Sequence, residues 1–134
     1  MIKPLFAFLL LLMHFPLSNA SQADIVDDLA LHFKTGNSKE IAKYFSPSVE
    51  LIIIDQEDVY SKAQAEQILK DFFIKNPPSK VAIVHRISKV ANFRLDVLSL
   101  TTKTGKFRVS ISMSLKKPSN TFLITELRIE PEKE

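Results

Sequence analysis

A chain of 134 residues carrying 18 Lys or Arg against 15 Asp or Glu is of one-domain size and encloses one modest core. It has no cysteine, so it holds neither a disulfide nor a lipid attached through a thiol. Its small positive excess lacks the concentrated basic face that nucleic acid requires, and no nucleic-acid partner is expected.

The chain opens Met1-Ile2-Lys3, runs apolar from Leu5 to Met13 and passes through Ser18-Asn19-Ala20. Charged start, apolar middle and small-residue end are the order of a cleavable secretory signal peptide. A membrane span needs roughly 20 apolar residues, and His14 and Pro16 interrupt this run before polar Ser18 and Asn19. The expectation is that residues 1–20 are removed on export, with Ala23 as the second cleavage choice. Residues 21–134 then form one soluble α+β domain, periplasmic or secreted, with no membrane anchor.

Ser21-Gln22-Ala23-Asp24 has the polar start of a helix, and Ile25, Val26, Leu29, His32 and Phe33 follow mostly along one face until Gly36 stops it. Ser38 opens a second short helix through Ile41, Ala42, Tyr44 and Phe45, which Ser46-Pro47 ends. Val49 to Ile54 reads as a strand, Asp55-Gln56-Glu57-Asp58 as an acidic turn, and Val59-Tyr60 as a short returning strand. Ser61 and Gln64 make a capping box. The helix they open carries Ala65, Ile68, Leu69, Phe72 and Phe73 on one side and stops at Asn76-Pro77-Pro78.

Strands fill the remainder. Val81, Ile83, His85 and Ile87 alternate with less apolar residues, as do Phe93, Leu95 and Val97. The clearest alternation is Phe107, Val109, Ile111, Met113 and Leu115, with Arg108, Ser110, Ser112, Ser114 and Lys116 between them. After Pro118-Ser119-Asn120, the run Thr121 to Ile129 closes the series with Leu123, Leu127 and Ile129 in phase. Runs of helix followed by runs of strand argue for helices packed on one face of a curved, mainly antiparallel sheet.

Tyr44-Phe45-Ser46, Val49-Glu50-Leu51, Val59-Tyr60-Ser61-Lys62-Ala63-Gln64-Ala65 and Leu69-Lys70-Asp71-Phe72-Phe73, closed by Asn76-Pro77-Pro78, resemble the exported bacterial family catalogued as domain of unknown function 4783. Phe107-Arg108-Val109 and Ile124-Thr125-Glu126-Leu127-Arg128-Ile129 resemble its later strands. The resemblance implies a nuclear-transport-factor-2-like, or cystatin-like, cone with three N-terminal helices on a curved sheet, in proteins of Bacteroidota. It also implies a glycine-rich hairpin where this chain has Lys89-Val90-Ala91-Asn92. No activity comes with it, and the superfamily hosts isomerases, dehydratases and binding modules alike.

An isomerase or dehydratase would need a carboxylate base and a Tyr or His acid converging inside the cone. His85, in phase with Val81, Ile83 and Ile87, is the centre of such a reading, with Tyr44, Tyr60 and Asp55 as partners. The same residues suit plain structural roles: a satisfied core or rim histidine, and tyrosines that pack. Asp55, Glu57 and Asp58 lack the glycine and the distal bidentate Glu of a calcium loop, and His14, His32 and His85 have no zinc spacing. No phosphate loop or serine elbow is present, so no metal and no cofactor is expected. Lys103, Lys106, Arg108, Lys116 and Lys117 gather at one end of a hairpin, as edge-protecting charge or as a patch for an anionic surface. Leu98, Leu100, Phe122 and Ile124 stand out of phase with their strands' inward sets and are expected on the outer face, as the contact of a homodimer. The leading expectation is a non-enzymatic exported domain that holds a small apolar ligand or a protein partner, in the cone or on that face.

Overall fold

The computed structural model describes residues 24 to 90 and 92 to 133; the expected signal peptide and both cleavage positions lie outside them. Helix α1 spans Ile25–Lys34, α2 Ser38–Ala42 and α3 Lys62–Lys75. The strands are β1 Phe45–Ile53, β2 Gln56–Ser61, β3 Pro78–Val90, β4 Phe93–Thr102, β5 Gly105–Lys116 and β6 Thr121–Pro131. They form one mixed sheet in the order β2-β1-β6-β5-β4-β3, in which β1 and β6 run parallel and every other pair antiparallel. The third helix lies between β2 and β3, so only α1 and α2 precede the sheet among the described residues.

Local chemistry explains the helix ends. Asp24 caps α1 by accepting from the Val26 amide, and Ser61 and Gln64 complete the capping box of α3. Gly36 sits at φ +65° between α1 and α2, where a Cβ would come within 3.3 Å of Pro78, so backbone conformation and space both call for glycine. The second helix ends at Ala42, earlier than its periodicity suggests, because Phe45 already pairs with Ile124 of β6. The β1–β2 turn is only Ile54-Asp55, so Gln56 to Asp58, expected in a turn, belong to β2. That tight turn holds Ile54 at φ +59°, a costly conformation for a β-branched residue.

The three described helices pack on one face of the sheet. Val26, Leu29 and Phe33 of α1, Ile41 of α2 and Leu69, Phe72 and Phe73 of α3 meet Leu51, Leu98, Leu100, Val109, Ile111, Met113, Ile124 and Leu127 in a single core. Edge-to-face aromatic contacts run from Phe33 to Phe73, from Phe73 to Phe72, and from Phe72 to Phe107 on β5, with ring centres 5.8, 5.7 and 5.2 Å apart.

Register corrects two expectations about faces. The Lys103-Thr104 hairpin sets Thr102 opposite Gly105, so Leu100 pairs with Phe107 and Leu98 with Val109. Leu98 and Leu100 are therefore core residues with no exposed surface, while Phe93, Leu95 and Val97 turn to the outer face. In β6 a bulge at Thr125 inserts one residue between Glu126, opposite Ser112, and Ile124, opposite Met113. The bulge lets Leu127 and Ile129 face inward on one side of it, and Ile124 and Phe122 on the other. Ile124 is fully buried and Phe122 packs on the core, so none of the four residues expected on an outer dimer face is available there.

Candidate functional site

The proposed catalytic residues do not converge. Tyr60 lies on β2 and His85 on β3, the two opposite edges of the sheet, with four strands between them. A bulge at Val84 in β3 separates Ile83, opposite Leu98, from His85, opposite Val97. One extra residue turns the histidine away from the core and leaves it exposed. Tyr44 and Tyr60 are half-buried and pack against the core. Burial first, then the charges of Asp28 and Glu40, raise the Tyr44 hydroxyl above its ordinary pKa, which holds it neutral. Asp55 is exposed in the β1–β2 turn. Among the described residues no three His, Cys, Asp or Glu side chains gather as a metal site.

The cone interior is filled. Phe33, Phe45, Leu51, Leu69, Leu98, Leu100, Ile111, Met113, Ile124 and Leu127 occupy it with under 2 % of each exposed. Clefts open on the surface. One of about 580 Å³ lies where the α1–α2 turn meets α3 and Pro77-Pro78; another of about 360 Å³ lies beside the β1–β2 turn.

Where the helix-covered face reaches its rim, a charged cluster appears that periodicity alone did not reveal. Arg94 and Asp96 occupy inward positions of β4, opposite Met113 and Ile111. Asp96 is fully buried, and Arg94 grips it with two hydrogen bonds, Nε to Oδ2 at 2.9 Å and Nη2 to Oδ1 at 3.1 Å. The same guanidinium reaches Asp24, the N-cap of α1, with Nη1 2.9 Å from Oδ1, and lies over the Phe122 ring at 5.9 Å. Arg86 on β3 donates to Asp24 at 3.0 Å and to Asp27 at 3.1 Å. Burial disfavours the charge on Asp24, but Arg94, the Val26 amide and Arg86 outweigh it and hold the carboxyl below the usual range. No buried side-chain nitrogen or oxygen among the described residues lacks a hydrogen-bond partner, and the cluster ties α1 to the sheet. The signal that could have found it is an Arg and an Asp two apart in an otherwise apolar strand, at Arg94 and Asp96.

Among the described residues no helix lies on the outer face of the sheet. On it Phe93, Leu95 and Val97 of β4 lie beside Ser114, Ser112 and Ser110 of β5, with Ile87 of β3 opposite Leu95. Val97 is buried although it is no part of the core, and Phe93 stays 39 % exposed. Towards β2, this face is acidic. Glu50 shares a hydrogen bond with Glu57, and this bond first, then desolvation and the nearby Glu126, raises the Glu50 pKa. Arg128 bridges Glu130 at 3.1 Å and Glu126 at 3.7 Å. Towards β3 the face is basic, with Lys80, Lys106 and Arg108 around Ser99 and Thr101, bordering a shallow groove of about 420 Å³.

This architecture, a curved mixed sheet with helices on one face, is that of the cystatin-like and nuclear-transport-factor-2-like proteins. It is similar to a cystatin-like domain of unknown function from Nostoc punctiforme (TM-score 0.63, 9 % identity, 84 % of this chain and 81 % of that one). It is similar too to an NTF2-like protein of unknown function from Silicibacter pomeroyi (TM-score 0.59, 11 % identity, 80 % and 89 % covered). The family model described as domain of unknown function (DUF4783) matches residues 26–130, and the chain belongs to that family. A DUF4783 family protein from Bacteroides uniformis aligns with a TM-score of 0.76 and 27 % identity, over 83 % of this chain and all of that one. No curated protein matches the chain.

Proposed function

We propose that this chain is an exported, non-enzymatic interaction domain that works through the outer face of its sheet, and that a second copy of the chain is its partner. The observation that carries this reading is the contrast between a helix-covered face packed solid with fully buried side chains and an uncovered face that presents Phe93, Leu95 and Ile87. The fully buried side chains of the interior favour a surface over an internal pocket for a small apolar ligand, and the isomerase reading loses its centre when His85 and Tyr60 stand on opposite edges. The charged, apolar and small-residue order of residues 1–20 supports export. Native mass spectrometry of the protein purified from its own periplasm tests the proposal. A dimer of bare polypeptide is the expected mass; a stoichiometric small molecule retained by the chain, or monomer alone at micromolar concentration, would overturn it.

A further inference from the structure

We infer that the corner of the outer face where β3, β4 and β5 meet binds an extended acidic peptide of a partner protein, and that the chain's own Glu132 occupies this site until such a peptide displaces it. The site needs no second copy of the chain, so it stands or falls apart from the self-association proposed above.

Register assembles the site. On the outer face Lys80 of β3, Thr101 of β4 and Lys106 of β5 form one row, and Ala82, Ser99 and Arg108 form the next. The shallow groove of about 420 Å³ is lined from both rows. Lys80, Lys106 and Arg108 are exposed and make no salt bridge among the described residues. Glu130, opposite Arg108 in the pairing of β5 with β6, is taken up by Arg128 at 3.1 Å. Like charges gathered in this way give the groove a positive potential that an anion relieves.

The chain's own tail shows what the groove takes. Strand β6 ends at Pro131, opposite Phe107, while β5 extends past that point to Gly105. Glu132 fills the open position: its amide donates to the Lys106 carbonyl at 2.9 Å, and its side chain crosses β5 to accept from Ser99 Oγ at 2.8 Å. One residue thus supplies a backbone donor and a carboxylate together, which is peptide chemistry; a bare phosphate offers only negative charge. Glu132 is exposed and lies past the end of β6, so an incoming Glu in an extended segment can replace it contact for contact. The tether keeps the resident carboxylate at high local concentration, which fills the site when no partner is present and yields to a ligand carrying several carboxylates.

Titration of the mature exported protein with an oligoglutamate peptide, followed by amide NMR, tests this. The amides of Ser99, Thr101 and Lys106 should shift, while those around Phe93, at the far end of β4, stay in place and report self-association separately. Glu132→Gln should tighten binding roughly threefold or more by weakening the resident. That gain in affinity cannot come from misfolding. Lys80→Glu with Lys106→Glu should weaken binding roughly tenfold or more, and higher salt should weaken the wild-type complex. A Glu132→Gln variant that binds no tighter than wild type, or inorganic phosphate that shifts the same amides as strongly as the peptide, overturns the inference. So does a peptide titration that leaves Ser99 and Lys106 unmoved in both wild type and Glu132→Gln, whatever the oligomeric state of the chain.

Discussion

The two faces of this sheet use the same kinds of residue for opposite ends. On the helix-covered face, polar groups are admitted only with every partner in place: Asp96 is fully buried, held in a two-point grip by Arg94, which in turn pins the N-cap of α1. On the outer face charge is sorted by half, and Phe93 stays within reach of water while Val97 and Ile52 are buried. A closed interior gives the fold its rigidity, and what remains for interaction is the surface that the helices leave uncovered.

The largest effect should come from breaking the closed side at its one ionic joint. Arg94→Leu strands the Asp96 carboxylate without a cation, which costs about 3–5 kcal/mol for a buried pair missing one partner. Urea denaturation at neutral pH measures it, and a loss under about 1 kcal/mol would show that water reaches Asp96 after all. The pH dependence has a defined sign. Asp24 is held below its ordinary value, so its contribution is present above the unfolded carboxyl pKa and disappears as the pH falls through the lower folded value. Arg94→Leu should flatten that acid limb of the stability curve.

A second comparison asks whether the register of β4 is right. Leu100→Ala should cost about 2–5 kcal/mol, because its side chain is fully buried opposite Phe107. Phe93→Ala, on the outer face, should cost the monomer about 0.5 kcal/mol or less and instead weaken self-association. Chemical denaturation under dilute conditions separates the two. If the costs were reversed, β4 would be paired one residue out of step.

How much of this was legible in the residues depends on whether one strand's pattern is enough. The alternation of β5 and the capping box of α3 stand in the sequence as they stand in the fold, because each is local. Strand β4 is ambiguous by itself: Phe93, Leu95 and Val97 look more apolar than the set Arg94, Asp96, Leu98 and Leu100, which is the one that faces inward. Only the pairing across Lys103-Thr104 decides between them. The bulges at Val84 and Thr125 are harder still, because one inserted residue exchanges faces without any change in composition. The first bulge turns His85 away from the face its spacing predicts, and the second does the same for Ile124. The ionic cluster draws Asp24, Arg86 and Arg94 from three separate elements, so only Arg94 and Asp96, neighbours in one strand, left a trace in the sequence.

The smallest effect probes the acidic half of the outer face. Glu50 has its pKa raised by the hydrogen bond with Glu57, by desolvation and by Glu126, the reverse of the Asp24 case. A raised folded value means that its contribution is fully present below the unfolded carboxyl pKa and is lost as the pH rises through the folded one. At neutral pH the charged Glu50 therefore opposes folding, and Glu50→Gln should raise the melting temperature slightly there while leaving it unchanged in acid. The measurement belongs at protein concentrations low enough to keep the chain monomeric, so that any self-association through this face does not alter the surroundings of Glu50. Melting curves that coincide with wild type across the whole pH range would mean that Glu50 and Glu57 do not press on one another. The acidic half would then lose one of the features that set it apart from its basic counterpart.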